Sequence, residues 1–290
     1  TRSDASLLGV VLGEIIGVRY SHVTFQWVEG YVAMLKEKRK LTPGTIRKRI
    51  GLLGRVMDWH LRRINQSERP NPFRLLPEGY SNYSGEDIAA AGVHRVDVER
   101  DRRLSAQEGE RIAQVLAGEK RPDRERAWGN DPDFRMLYHL IVDTGLRLFE
   151  AYRLRVGDVD LVRNIVRVEG SKGARGASKP RFVPIVPRLR PLLKEYIGDR
   201  ANGLMFPFWD GREDSRRLAT GRLSARFRTL FAYAELEDIT EHDLRHESAC
   251  RWFELRHADG RWVFSEIEVC RIMGWKDPRM ALRYASLRGE

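Results

Sequence analysis

Cysteine is scarce in this sequence, and the spacing of the two that are present argues against the sites that cysteine commonly builds. Cys250 and Cys270 are the only cysteines among 290 residues. Neither belongs to a C-x-x-C pair or has a histidine cluster beside it, so the spacing does not predict a zinc site. We expect two buried free thiols in a reducing cytoplasm.

Long hydrophobic runs are also missing. The longest apolar stretch near the start, residues 7–18, is interrupted by Glu14 and is too short to span a bilayer. Charged residues make up 32% of the chain, which is too many for a membrane protein. We therefore expect a soluble cytoplasmic protein. Because the sequence opens on Thr1 and not on methionine, we expect it to be a piece of a longer chain.

Motifs for nucleotide and metal chemistry are absent as well. The sequence has no G-x-x-x-x-G-K-[ST] loop, which would cradle the phosphates of a nucleotide. The acidic pairs Asp131 with Asp133 and Asp158 with Asp160 lie in turn-like stretches, so we interpret them as caps and not as a two-metal site. We predict no cofactor and no metal.

Positive charge, by contrast, is abundant. The net charge is +11 and the isoelectric point is near 9.9. Residues 1–100 hold 16 basic and 11 acidic residues, a net +5, and the rest hold 36 and 30, a net +6. Basic chains often bind polyanions because binding releases condensed counterions. We expect both parts to face DNA and to close on opposite faces of a duplex.

The length and the distribution of turn residues predict two domains. A chain of 290 residues exceeds what one average core needs. The stretch 66–101 is rich in Pro, Gly and Asn, and we place a linker in its last part. Ser105 and Glu108 then form a capping box that opens a new helix. We predict a helical DNA-binding domain at 1–100, with the linker at its end, and a second, mixed domain at 101–290.

Helical periodicity dominates the first domain. Apolar residues recur at helical spacing from residue 24, and the Thr42-Pro43 dipeptide signals the start of another helix. This helix carries a basic group that we predict to contact DNA: Arg47, Lys48 and Arg49. The pattern leaves open the alternative of an ordinary solvated polar face.

The second domain combines helices with a few short strands. Residues 165–168 and 181–185 have strand-like patterns, separated by the Gly- and Lys-rich segment 170–179, and this order predicts a long hairpin. Helical patterns return from residue 189 onward. The predicted fold class is mainly α with a small antiparallel β-sheet, that is α+β.

Four local features carry residue types suited to chemistry. Arg147 and Glu150 lie one helical turn apart, and so do His242 and Arg245. Taken alone, the first is an ordinary ion pair and the second is expected by chance in so basic a chain.

The other two features are a tyrosine and a lysine. Tyr284 follows Trp275 by nine residues, and Lys172 lies in the hairpin turn. Taken alone, these are a packing tyrosine, a core tryptophan and a solvated loop lysine.

In combination and in this order, the features resemble the tyrosine recombinase (phage integrase) family. The family's T-G-L-R-x-x-E box is matched by residues 144–150, and its H-x-L-R-H box by residues 242–246. Its L-G-H box with a tyrosine nine residues later reads Met-Gly-Trp at 273–275 with Tyr284. Tryptophan replaces the usual histidine there, which affects one role. The motifs cover residues 100–290, and before residue 100 only helical character and charge agree.

The resemblance implies a core-binding domain at 1–100, a catalytic domain at 101–290, and a role for each motif residue in strand cleavage. Arginine forks suit the charge that develops on a phosphodiester under attack. The implied clamp on the phosphate is Arg147 and Arg245, with Glu150 holding Arg147. Tyr284 is the implied nucleophile, and His242 accepts its proton or binds the phosphate. Lys172 is the implied acid for the leaving group, and Trp275 donates a hydrogen bond to the phosphate.

The activity so implied is site-specific recombination of DNA through a 3′-phosphotyrosine intermediate. The expected partners are a duplex recombination site, other copies of the chain in a tetramer on DNA, and accessory DNA-bending proteins. The expected location is the cytoplasm, in association with the nucleoid. Two alternatives stay open: a type IB topoisomerase-like or telomere-resolving strand transferase, and a catalytically silent DNA-binding protein with this fold.

Overall fold

The computed structural model describes residues 2–98, 100–170, 172–173, 176–177 and 180–288. The chain divides into two compact units, residues 1–99 and residues 100–290. Within the described ranges, each helix is too short or too polar to cross a membrane.

Unit 1 is helical. Its helices are α1 (Arg2–Ile15), α2 (Phe25–Glu37), α3 (Pro43–Arg63) and α4 (Gly85–Ala91), with short 3₁₀ turns at Tyr20–His22 and Pro72–Arg74. Thr24 caps α2 by accepting from the backbone N–H of Trp27 at 3.2 Å. Pro43 occupies the first turn of α3, as its sequence signal predicts. The apolar faces meet in one core: Val11, Val28, Tyr31, Val32, Leu35, Ile46, Ile50, Leu53, Met57, Leu61 and Phe73.

Two buried ion pairs join the helices of unit 1. Lys36 of α2 donates to Asp87 of α4 at 2.7 Å and to the carbonyl of Asn82 at 2.6 Å. Arg49 of α3 donates to Glu14 of α1 at 2.6 Å. Burial acts to raise the pKa of Glu14, but the hydrogen bonds from Arg49 and Tyr31 outweigh it and lower that pKa. These carboxylates therefore stay charged inside the unit.

Unit 2 adds a small sheet to a larger set of helices. The helices are α5 (Ala106–Leu116), α6 (Pro132–Thr144), α7 (Leu148–Tyr152), α8 (Leu189–Ile197), α9 (Arg216–Tyr233), α10 (Glu241–Glu254), α11 (Glu266–Met273) and α12 (Arg279–Leu282). The strands are β1 (Val159–Asp160), β2 (Ile165–Val168), β3 (Lys172–Gly173), β4 (Gly176–Ala177) and β5 (Arg181–Pro184). Antiparallel pairing gives one sheet in the order β1-β2-β5, and β3 pairs with β4. The predicted fold class, mainly α with a small antiparallel sheet, is confirmed.

Helix α10 is central to unit 2, because it packs against both α6 and α11. Its interior face mixes apolar and charged residues, and Leu244, Ala249 and Phe253 are fully buried beside Arg245 and Glu247. Buried charges need partners, since an unpaired charge in a protein interior is costly. Glu247 pairs with Arg103 and with Arg251 of α10 itself. Arg245 instead donates to carbonyls of other elements and belongs to the site described below.

The ion pair of Lys36 with Asp87 generates a stability prediction. Asp87→Ala is expected to lower the free energy of unfolding by about 3 kcal/mol, because it leaves a buried ammonium without its carboxylate. Urea denaturation followed by circular dichroism measures the loss. Glu86→Ala removes an exposed carboxylate from the same helical turn and is the matched control. Equal losses in the two variants would show that the buried pair has no special weight.

Candidate active site

The turn between α6 and α7 presents Arg147 and Glu150 together. Gly145 ends α6 with a φ of +70°, and a Cβ atom there would lie only 2.7 Å from the Met273 Sδ. Arg147 is the N-cap of α7, and Glu150 accepts from its backbone N–H at 2.9 Å and from its guanidinium at 3.0 Å. The Arg147 side chain remains half exposed. The first motif is thus a tight turn that aims one arginine outward and anchors it.

A second arginine, Arg181 of β5, holds Glu150 from the other side. Its guanidinium donates to both carboxylate oxygens of Glu150 at 3.0 and 2.7 Å, and its Nε donates to the carbonyl of Ile272 at 3.0 Å. Burial acts to raise the pKa of Glu150, but the bonds and charge of Arg181 lower it to about 2. Arg181 is not among the residues that the sequence predicts for the site, since nothing in a strand's alternation distinguishes a buried, paired arginine at its first position from a solvated one.

Arg245 joins the turns that carry the motifs. It is 5% exposed and donates to the carbonyls of Gly145 and Met273. Burial, followed by the charge of Arg147, lowers the pKa of its guanidinium to about 9, so the group stays protonated at neutral pH. Among the described residues, only these two carbonyls accept from it, although a guanidinium has five N–H donors. Arg245 therefore keeps donors for a further acceptor.

The charges around Arg245 converge on one place. Three charged side chains act electrostatically on its guanidinium: Arg147, Glu150 and Arg181. The structure thus brings together residues that lie far apart in the sequence.

Tyr284 lies in an aromatic stack with its hydroxyl bonded to a histidine. The ring is 4% exposed and stacks on Phe253 at 5.0 Å and on Trp275 at 5.4 Å between ring centroids. Its hydroxyl lies 3.0 Å from Nδ1 of His246. Burial, with Cys250 as the next contributor, raises the pKa of Tyr284 to about 12. The phenol is therefore protonated at neutral pH and needs a base in order to attack.

His242, which the family resemblance implies to be either the proton acceptor or a phosphate ligand, lies elsewhere on α10. Its side chain keeps an exposed face, and within the described residues no hydrogen bond joins it to Tyr284. Partial burial, and then the charge of Arg245, lower the pKa of its imidazole. It stays close to Arg245 and Arg147, which suits a phosphate ligand better than a partner of the tyrosine.

The two remaining catalytic candidates differ in what the structure describes. Trp275 is half-buried in the stack, and its indole N–H has no hydrogen-bond partner in the described part of the chain. Lys172 lies in β3, where its backbone pairs with Ala177. The side chain of Lys172 lies outside the described residues.

The predicted DNA-contact residues of α3 have different surroundings. Lys48 is exposed, and Arg47 is half exposed while it bonds Ser81 at 2.9 Å and pairs with Asp97. Arg49 is only 9% exposed and its guanidinium bonds Glu14 inside the unit. Helical spacing turns Arg49 toward the core, so its guanidinium is not available to DNA.

Residues 102–290 match the model of the phage integrase family. The chain belongs to this family. It is 25% identical over 252 residues to the shufflon-specific DNA recombinase of Escherichia coli, an alignment that covers 86% of this chain and 53% of the relative. It is 27% identical over 234 residues to the tyrosine recombinase XerA of Thermococcus kodakarensis, covering 73% and 76%. The chain thus spans about half the length of the first of these relatives.

Solved structures share the fold of this integrase-family chain. The Tn1549 transposon integrase in complex with transposon right-end DNA superposes with a TM-score of 0.63 at 16% identity, covering 97% of this chain and 87% of that one. The XerH recombinase bound to a palindromic substrate gives 0.60 at 20% identity, covering 92% and 70%. At these identities the likeness establishes the fold alone.

The anchoring of Glu150 predicts a pH-dependent contribution to stability. Its folded-state pKa, about 2, lies below the ordinary 4.5, so the carboxylate stabilises the fold above pH 4.5 and loses this effect as pH falls toward 2. Glu150→Gln should lower the free energy of unfolding at pH 7 by about 3 kcal/mol. Urea denaturation should show the same difference at pH 7 and pH 5 and a smaller one at pH 3. Glu169→Gln, at an exposed carboxylate, is the control, and a constant difference at all pH values would contradict the prediction.

Proposed function

We propose that this chain is a site-specific DNA recombinase that cleaves and rejoins strands through a 3′-phosphotyrosine intermediate. The observation that carries the proposal is that the buried Arg245 bonds the carbonyls of Gly145 and Met273. These bonds hold the turn of Arg147 beside the turn of Trp275, on which Tyr284 stacks. The membership of this chain in the phage integrase family also supports the proposal.

The two arginines are proposed to clamp the scissile phosphate. Attack on a phosphodiester puts negative charge on its nonbridging oxygens, and preorganised donors at that point lower the barrier. Arg147 has an exposed guanidinium, and Arg245 has donors beyond those that the carbonyls use. Because Glu150 and the carbonyls fix both groups before DNA arrives, little reorganisation is needed at the moment of reaction.

Tyr284 is proposed to attack the phosphorus. The phenol O–H bond breaks, an O–P bond forms, and the 5′ oxygen of the next nucleotide leaves. Lys172 is the proposed donor of the proton to that oxygen, and His242 and Trp275 are proposed ligands of the nonbridging oxygens. The phosphotyrosine bond conserves the energy of the ester, so rejoining needs no nucleotide.

The proposed partners follow the same argument. Duplex DNA is supported by the net charge and by the complexes in which the structural neighbours were solved. Arg47 and Lys48 are the proposed contacts from unit 1. Assembly as a tetramer, accessory DNA-bending proteins, closure of the two units on one duplex and a cytoplasmic, nucleoid-associated location stay predictions.

The relatives favour recombination over the alternatives. The matched proteins are named recombinases and integrases, which supports neither a topoisomerase nor a telomere-resolving enzyme. A catalytically silent DNA-binding protein would have no need of both a bonded tyrosine and an anchored arginine clamp.

Tyr284→Phe tests the proposal directly. The variant should bind DNA normally but form no covalent complex, because only the nucleophilic oxygen is removed. The substrate is a duplex selected from a randomised pool by binding to the full chain, then nicked beside the scissile phosphate so that rejoining fails. Covalent DNA is detected on a denaturing gel, and Tyr233→Phe, at a tyrosine of α9, is the control. A covalent adduct formed by Tyr284→Phe would show that Tyr284 is not the nucleophile.

Lys172 can be tested through the leaving group. Lys172→Ala should slow cleavage of the ordinary nicked duplex by about 10²-fold, as loss of a general acid does. A substrate with a 5′-bridging sulfur should restore the rate, because a thiolate leaves without a proton. Lys194→Ala, at an exposed lysine of α8, should behave as the wild type with both substrates. If the sulfur substrate gives the Lys172 variant no advantage, Lys172 is not the acid.

A further inference from the structure

Two side chains of α10, His246 and Cys250, form a row of hydrogen-bonded groups with Tyr284. Tyr284 Oη lies 3.0 Å from His246 Nδ1, and the other ring nitrogen, Nε2, lies 3.7 Å from the Cys250 Sγ. His246 and Cys250 are one helical turn apart, so a single helix fixes their separation. The imidazole thus bridges a nucleophile and a thiol.

We propose that His246 is the base that takes the proton of Tyr284 during strand cleavage, and that Cys250 positions His246 for this role. The inference rests on the proposed function and deepens it. In the step, the Tyr284 O–H bond breaks and its proton moves to Nδ1. The Tyr284 O–P bond forms while the bond from phosphorus to the 5′ oxygen breaks, and that oxygen leaves with the proton that Lys172 is proposed to donate. When the strand is rejoined, the same proton returns to the phenol oxygen.

The contact with Cys250 is compatible with the tautomer that this role needs. An imidazole that accepts at Nδ1 must carry its hydrogen on Nε2, and the bond made by one ring nitrogen decides which nitrogen is protonated. Burial raises the pKa of the Cys250 thiol to about 12, so the thiol is uncharged. In this tautomer its sulfur is the weak acceptor for Nε2–H. A nucleophile, a base and a group that orients the base form the usual arrangement for activation.

The protonation state of His246 also suits a base. Burial, followed by the charges of Arg283 and Arg103, lowers the pKa of His246, so the ring is neutral at pH 7 and able to accept. The charged and titratable groups that act on the ring come from several elements: Arg103, Asp243, Glu247, Cys250, Arg283 and Tyr284. Below its pKa the ring cannot accept, so cleavage should fall on the acid side.

Single-turnover cleavage of the nicked duplex tests the base. His246→Gly should bind the duplex as the wild type does but cleave it about 10²-fold more slowly, which is a typical contribution of a general base. Added imidazole should restore part of the rate of His246→Gly. Without added imidazole, the rate of this variant should no longer fall on the acid side of the pH profile. His242→Gly is the comparator. Rescue of His242→Gly and not of His246→Gly would assign the base to His242 and overturn the inference.

The positioning role of Cys250 has its own test. Cys250→Val removes the acceptor and should cost a few-fold in rate, whereas Cys250→Ser keeps an acceptor and should recover most of that loss. Cys270→Val, at the other buried thiol, is the matched control. Equal rates for Cys250→Val and Cys250→Ser would show that Cys250 does not position His246.

The outcomes separate this inference from the function on which it rests. If the wild type forms no tyrosine-linked DNA, the proposed function fails and the inference with it. If the wild type is active and Tyr284→Phe is not, but His246→Gly cleaves as fast as the wild type or faster, only the inference fails. In that case the hydrogen bond merely holds the tyrosine in its buried position.

Discussion

The candidate site depends on one buried guanidinium. Arg245 lies in α10 and donates to the carbonyl that ends α6 and to the carbonyl that ends α11. Both carbonyls belong to helix C-termini, whose last carbonyls lack partners within their own helix. A charged donor therefore satisfies the two helix ends at once. Removing it would leave both ends unsatisfied and break one of the connections between the turns that carry Arg147 and Trp275.

Arg181 of β5 likewise donates to a carbonyl at the end of α11. It bonds the carbonyl of Ile272, one residue before the carbonyl that Arg245 bonds, and both oxygens of Glu150. The two arginines thus connect the α6–α7 turn to the end of α11 by separate routes. Three arginines in so small a volume repel one another, and Glu150 is the carboxylate that offsets this repulsion. The positive charge that the site needs for a phosphate is consequently built into its structure.

The aromatic stack has the opposite character, because it is apolar except for one hydroxyl. Phe253 and Trp275 fix the ring plane of Tyr284, while His246 fixes the direction of its O–H bond. Burial makes the phenol a poor acid, and the same burial keeps the neighbouring imidazole neutral. The environment that discourages spontaneous ionisation of the nucleophile therefore also maintains a base beside it.

Local sequence determined the elements of this protein. The periodicity of α2 and α3, the Thr42-Pro43 start, the capping box at Ser105 and the strand patterns near 165 and 181 follow from interactions within a few residues, and the fold class follows from their order. The motif order also indicated the family. Only the tertiary structure decided which side chains meet: Arg181 with Glu150, Arg49 with Glu14, and His246, not His242, with Tyr284. Periodicity tells which face of an element is buried, but it carries no information about the distant residue packed against that face.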